Sequence, residues 1–177
     1  MGSEMCIRDR SLVKLSRMES GIIAVHSEDT TIKQMLESIQ QQFNVKVREK
    51  NITLSLCDTD LHVRCDSKWT VEALGNIVDN AIKYTACGGN VQIKVEQYSF
   101  FVKIDIIDDG IGIEKEEIPK IFGRFYRSLS VADQPGVGIG LFLAREIIQA
   151  QKGYIKVTSK RGKGSTFSVF LPIAKKE

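Results

Sequence analysis

Two pairs of alternating segments with very short connections constrain this chain most. "VQIKVEQ" (91–97) and "FVKIDII" (101–107) are separated only by "YSF", and "YIKVTS" (154–159) and "STFSVFL" (165–171) only by "KRGKG". Strands joined this closely pair antiparallel, because a parallel pair needs a crossover of about a dozen residues or more. A third pair is expected from "NITLSL" (51–56) and "LHVRC" (61–65) across "CDTD", and "GIIAV" (21–25) reads as a further short strand. Helical periodicity marks "TTIKQMLESIQQQF" (30–43), with Ile32, Met35, Leu36, Ile39 and Phe43 on one stripe. It also marks 68–84, capped by Asp66 or Ser67, and "GLFLAREIIQAQ" (140–151). "KEEIPKIF" (115–122) reads as a short helix and "RSLSVADQPGVG" (127–138) as a polar, turn-rich stretch. The order predicts an α+β domain: a mixed, mostly antiparallel sheet covered on one face by helices.

The 177 residues suit one compact domain with a short appendage. Hydrophobic content of 42% is enough for a real core. A net charge of +3, with scattered lysines and arginines, gives no basic stripe for nucleic acid. Cys6, Cys57, Cys65 and Cys87 show no C-x-x-C spacing and only His26 and His62 exist, so neither zinc nor a disulfide framework is indicated. No apolar run approaches the ~20 residues of a membrane helix. "MGSEMCIRDR" (1–10) has charges but no apolar core; it reads as a non-native leader rather than a signal peptide. "SLVKLSRMESG" (11–21) reads as the last turns of a helix.

Three short stretches carry residues suited to chemistry. In "GNIVDNAIKYTACGG" (75–89), Asn76, Asn80 and Lys83 are spaced by four and three, so they share one helix face. Amide oxygens suit Mg²⁺ and the ammonium suits phosphate, although the same face reads equally as a solvated surface. "DDGIGI" (108–113) puts Asp108 at a strand end, able to accept from an exocyclic amine such as that of adenine. Alone it is also an ordinary Asp-Gly turn. "GVGIGL" (136–141) opens a helix with three glycines, a phosphate-attracting arrangement. Leu141 stands where a dinucleotide fingerprint needs its last glycine, and no Gly-Lys-Ser/Thr is present, so both familiar phosphate loops are excluded. "GKGSTF" (162–167) is alone a hairpin turn.

The order of these pieces, with "IFGRFYR" (121–127) between the second and third, resembles the catalytic ATP-binding domain of bacterial two-component sensor histidine kinases. The resemblance spans residues ~21–173 and implies the two-layer α/β sandwich of the Bergerat (GHKL ATPase) type, with ATP and Mg²⁺ as cofactors. It implies that Asn80 coordinates Mg²⁺, Asn76 supports metal and phosphates, Lys83 contacts phosphate and Tyr84 lines the pocket. Asp108 would bind the adenine amine, with Gly110, Gly112 and Ile113 shaping the turn. Gly136, Val137, Gly138, Ile139, Gly140 and Leu141 would border the triphosphate beneath a lid at ~127–137. Phe122, Phe125, Arg124 and Arg127 come from the Phe-rich box; Phe122 would be among the cofactor-binding residues, and Arg124 or Arg127 would reach the γ-phosphate. Gly164 and Thr166 would close the pocket's base.

Gyrase, the large heat-shock chaperone, the mismatch-repair ATPases and the anti-sigma serine kinases share this pattern but carry glutamate where this chain has Asn76. An amide cannot act as a base at neutral pH, which favours transfer to a nucleophilic imidazole over water activation. The acceptor, a His-Glu/Asp pair on a long helix, does not occur. The expected organisation is therefore residues 11–20 as the end of a dimerisation helix and 21–177 as the catalytic domain. The resemblance implies partners in ATP or ADP, a His-containing dimerisation domain and a response regulator. It implies a cytoplasmic domain, monomeric by itself, of a membrane-anchored homodimeric parent. The alternative is a degenerate module that senses nucleotide without kinase activity.

Overall fold

A computed structural model describes residues 10, 12–14, 16, 24–128, 136 and 138–173, and all structural statements concern these. The elements are β1 (Glu28–Thr31), α1 (Ile32–Glu49), β2 (Thr53–Leu56), β3 (His62–Cys65), α2 (Ser67–Tyr84), β4 (Asn90–Gln97) and β5 (Phe101–Asp108). A 3-10 turn (Ile118–Lys120), α3 (Gly140–Ala150), β6 (Tyr154–Lys160) and β7 (Gly164–Pro172) follow. The five-stranded sheet runs β2-β4-β5-β7-β6, and β1-β3 form a separate two-stranded sheet. Both short-looped hairpins form in antiparallel register, β4 with β5 and β6 with β7, and β5 pairs with β7. The fold is the expected α+β sandwich.

The third expected hairpin does not form. β2 pairs parallel with β4, while β3 pairs antiparallel with β1. Backbone hydrogen bonds at both ends of β2 hold it along β4: Thr53 N donates to Gly89 O at 2.9 Å and Cys57 N to Ile93 O at 3.1 Å. The crossover that a parallel pair requires is supplied by β3 and α2 together. Alternation along β3 still does its work, burying Val63 and Cys65. The other differences are at element bounds. α1 begins at Ile32 and runs to Glu49. The stretch expected as a helix at 115–122 contains only the 3-10 turn, with Pro119 in its first positions. Of "GIIAV", residues 21–23 lie outside the described residues, and Ala24 and Val25 are not in a strand.

The core lies between the helices and one sheet face. Val91, Ile93, Val102, Ile104, Ile106, Phe167, Val169 and Leu171 point in from the strands. Ile39, Phe43, Leu74, Ile77, Val78, Leu143, Ile147 and Ile148 cover them from the helices. α2 starts at an Asp66 N-cap, whose carboxylate accepts from Trp69 N at 3.2 Å. Beside that cap sits Gln151, just past α3 and only 5% exposed. Its Oε1 accepts from Asp66 N at 2.6 Å and from Thr70 Oγ1 at 3.3 Å, and its Nε2 donates to Ile147 O at 3.3 Å. The C-terminal end of α3 is thus tied to the N-terminal end of α2.

Replacing Gln151 by leucine would keep the volume but strand the Asp66 N–H and the Thr70 hydroxyl. Losing partners for buried donors costs about 1–3 kcal/mol. A Gln151→Leu variant is therefore expected to show a lowered urea midpoint with an unchanged slope, measured by equilibrium denaturation.

Candidate functional site

α2 carries its two kinds of residue on separate faces. At about 100° per residue, Asn76, Asn80 and Lys83 fall within about 60° of one another. The buried residues Thr70, Ala73, Leu74, Gly75, Ile77, Val78, Ala81 and Ile82 occupy the remaining arc toward the core. The three polar residues and Tyr84 are half-buried. Among the described residues the Asn76 Nδ2 is covered yet has no hydrogen-bond partner. Leaving such a donor unpaired is costly, and a bound acceptor would relieve it.

The Gln151 tie makes α3 run back along α2, so its start falls beside the polar stripe. A Cβ built on Gly140 would lie 3.8 Å from Asn76 Cγ, and one on Gly136 would lie 3.2 Å from Lys83 Nζ. α3 has no side-chain cap at Ile139 and no acidic residue in its first turn. Its leading N–H groups therefore present uncompensated positive charge beside the Asn76 amide, a setting that favours an anion. Gly138 has φ 76°, and a side chain there would meet Tyr126 O at 2.6 Å. Ile139 is buried in the core and Leu141 packs against it, whereas Val137 and most of 127–137 lie outside the described residues.

The turn after β5 closes on the end of α2. Ile111 N donates to Tyr84 O at 3.2 Å. A Cβ on Gly110 would stand 2.4 Å from that carbonyl, so only glycine allows the approach. Asp108 is buried at 8% exposure. Its carboxylate accepts from Gly110 N at 2.9 Å and from the Ser165 backbone. Desolvation pushes its pKa up, the two backbone hydrogen bonds oppose this, and the first effect wins. Gly112 and Ile113 seat the turn on the last hairpin, where Ile113 N donates to Ser159 Oγ at 2.8 Å.

Thr166, expected at the pocket's base, has the wrong parity. In the β5–β7 register Asp108 pairs with Ser165 and Ile107 with Thr166. Asp108 shares the helix-covered face with Ile104 and Ile106, and Ser165 shares it with Phe167 and Val169. Thr166 points to the other face. Ser165 is the residue at the base, and the period-2 alternation of "STFSVFL" was the signal that could have found it. Gly164 is packed over the Asp108 carbonyl.

The Phe-rich segment divides. Phe122 packs edge-on against Phe167 at 6.4 Å, with Arg145 at 5.7 Å over its ring, so it is an anchor on the core. Phe125 is 56% exposed with φ 57°. Arg124 lies over the Phe142 ring at 4.9 Å. Arg127 is close enough to Lys83 and Tyr84 to act on the charge of both. Burial, then the positive charges of Lys46 and Arg127, lower the Lys83 pKa, while Asp79 opposes them. Burial raises that of Tyr84. One residue had no sequence signal: Lys50, just past the end of α1, donates to Ile82 O at 2.8 Å and Lys83 O at 2.7 Å and so caps α2's C-terminal end.

The donors present fit a nucleotide with a divalent cation. Among the described residues no group of three His, Cys, Asp or Glu could cage a metal. Mg²⁺ characteristically takes few protein oxygens and shares the rest with phosphate and water. The Asn80 amide oxygen, beside an unpaired Asn76 donor, an uncapped helix start and Lys83, suits that division.

Comparison with known proteins agrees with this geometry. Residues 65–175 match the family described as Histidine kinase-, DNA gyrase B-, and HSP90-like ATPase. Sensor histidine kinase WalK of Bacillus subtilis (strain 168) is 34% identical over 166 residues, 91% of this chain and 27% of WalK. Sensor protein kinase PmrB of Pseudomonas aeruginosa is 30% identical over 162 residues, 91% of this chain and 34% of PmrB. The chain thus spans about a third or less of the length of these curated relatives. The solved mycobacterial sensor histidine kinase MprB superposes with a TM-score of 0.74 at 25% identity, covering 84% of this chain and 98% of that one. The chain belongs to the histidine kinase-, DNA gyrase B- and HSP90-like ATPase family, as an ATP-binding domain of the sensor histidine kinase kind.

Proposed function

We propose that this domain holds ATP with Mg²⁺ and delivers the γ-phosphoryl group to a histidine on a separate dimerisation domain of its parent kinase, from which a response regulator takes it. The observation that supports the reading is that three glycines approach one stretch of α2: Gly140 lies beside Asn76, Gly136 beside Lys83, and Gly110 beside Tyr84, at the turn that follows Asp108. In this reading Asp108 accepts from the adenine amine, with Gly110 and Ser165 fixing its carboxylate and Gly112 and Ile113 seating the turn on the last hairpin. Asn76 donates to phosphate, Asn80 holds the metal, Lys83 and Arg127 neutralise the terminal phosphates, and Tyr84 lines the wall. The glycines around 136–140 admit the triphosphate to the start of α3. When bound, Mg²⁺ would supply charge neutralisation to the phosphates. Phosphoryl transfer of this kind needs positioning and charge compensation more than covalent protein chemistry.

Water activation is poorly supported by Asn76. Asn76 occupies the place from which a carboxylate would take a proton, and an amide cannot do so. The two histidines do not fit the acceptor: His62 is on β3 paired with Asp29 at 2.7 Å, and His26 is in an exposed loop. Residues 11–20 would then belong to the dimerisation helix, with Lys14 meeting Glu72 of α2 at 2.7 Å, and 1–10 to a non-native leader. A monomeric fragment, a homodimeric parent anchored in a membrane and a cytoplasmic site belong to the same reading.

Incubated with labelled ATP, Mg²⁺ and a His-containing dimerisation domain, the chain is expected to transfer acid-labile phosphate to that domain, with little phosphate release by itself. Rapid release in its absence would contradict the assignment. By calorimetry, Asn80→Ala is expected to abolish the Mg²⁺-dependent part of ATP binding while leaving the metal-free part. Asp108→Asn is expected to weaken ATP and ADP alike by about tenfold or more, since hydrogen bonds to charged groups are worth about 1.5–3 kcal/mol. Because the Asp108 pKa is raised, protonation removes the acceptor at a pH above the ordinary aspartate range. Affinity should therefore fall as pH is lowered into that window, and Asp108→Asn should flatten the profile.

A further inference from the structure

α2 places a carboxylate where it could disarm the site. Asp79 lies four residues before Lys83, the spacing at which acidic and basic side chains meet on a helix. An Asp79–Lys83 ion pair would consume the ammonium that the proposed function assigns to phosphate. That pair does not form. Instead the Asp79 Oδ1 is held at 2.6 Å by Lys46 Nζ, which reaches across from α1. Among the described residues Lys83 has no ion-pair partner, and its side chain lies beside Gly136. Lys46, Asp79 and Lys83 line one cleft of about 330 Å³, with Glu49, Lys50 and Ile82.

The geometry on either side of α2 explains the division of labour. α1 packs on the flank of Gly75, where a Cβ would meet Gln42 and Phe43 at 3.6–3.7 Å, and α3 packs on the flank of Asn76. Asp79 falls toward α1, and Lys83 falls between Asp79 and the two asparagines. Of the other cations nearby, Lys50 is committed to the carbonyls of Ile82 and Lys83, and Arg127 lies close to Lys83 and Tyr84. Lys46 is thus the cation placed to draw Asp79 aside. The pair is too exposed to matter much for stability, with side chains 55% and 32% accessible. Its consequence is local.

We propose that Lys46 is a positioning residue: by engaging Asp79 it keeps the Lys83 ammonium available to the nucleotide's terminal phosphates. The inference rests on the reading of the groove as an ATP site. Removing Lys46 frees Asp79 to turn one helical step and pair with Lys83. Removing Asp79 as well leaves Lys83 free again.

The test is a double-mutant cycle read by calorimetry with Mg²⁺-ATP and with AMP, on the whole chain. Lys46→Met, which keeps most of the stem, is expected to weaken ATP binding about fivefold, under 1.4 kcal/mol, with AMP affinity unchanged. Asp79→Asn alone is expected to match the unmodified chain, and the Lys46→Met/Asp79→Asn chain to recover to within about twofold. Lys46→Arg should retain full affinity. The comparison of ATP with AMP inside each variant separates this effect from loss of fold, which would weaken both. An unchanged ATP affinity in Lys46→Met overturns the proposal. So does an additive cycle, in which Asp79→Asn tightens ATP as much as Lys46→Met weakens it, because that is the signature of long-range charge alone. Absence of saturable ATP binding in the unmodified chain would instead defeat the nucleotide reading itself, and this proposal with it.

Discussion

The antiparallel lie of α3 along α2 is the constraint on which the site depends. Gln151 satisfies the Asp66 N–H and the Thr70 hydroxyl in a buried position, which fixes the end of α3 at the beginning of α2. An 11-residue helix rises about 1.5 Å per residue, so its start is carried some 15 Å back along its neighbour. That distance brings Gly140 to Asn76, three turns into α2. A helix start without a cap would be a defect in an ordinary domain. Beside a covered amide donor and a partly buried lysine it becomes a place where negative charge is missing.

The sheet supplies the second fixed point. β5 ends at Asp108 in register with Ser165, and the turn that follows is pressed onto the Tyr84 carbonyl by Gly110. Burying a carboxylate is unfavourable, as the raised Asp108 pKa records, and two backbone donors recover only part of that cost. The site thus holds one under-satisfied acid at the turn after β5 and under-satisfied donors and cations beside the start of α3, the two ends that the proposed function gives to adenine and to phosphate. Each is a cost to the empty domain that a ligand of the opposite character offsets. Strain of this polar kind, gathered at one groove, distinguishes a binding site from a solvated helix face.

Much of this was legible in the residues, and the exceptions have specific causes. The two hairpins were readable because connections as short as "YSF" leave an antiparallel pair no alternative. The split of β2 from β3 was not, because alternation tells which side chains turn inward but not which strand lies alongside. The stripe of Asn76, Asn80 and Lys83 follows from spacing alone. Ser165 rather than Thr166 shares the face of Asp108, because a one-residue slip of parity exchanges the faces of a strand. Gln151 and Lys50 act on partners 85 and 32 residues away, beyond the reach of any local pattern. The polar stretch at 129–135 lies outside the described residues, so its expected role as a lid stays with the sequence reading.

The central claim is that one small molecule touches three separated stretches of chain at once. A titration of the isotopically labelled chain with Mg²⁺-ATP, followed by NMR, addresses it directly. The side-chain amides of Asn76 and Asn80 and the backbone amides of Gly110 and Gly140 should move together, along a single saturation curve. Shifts confined to one of those stretches, or separate curves for each, would show that the groove does not grip a nucleotide as a unit.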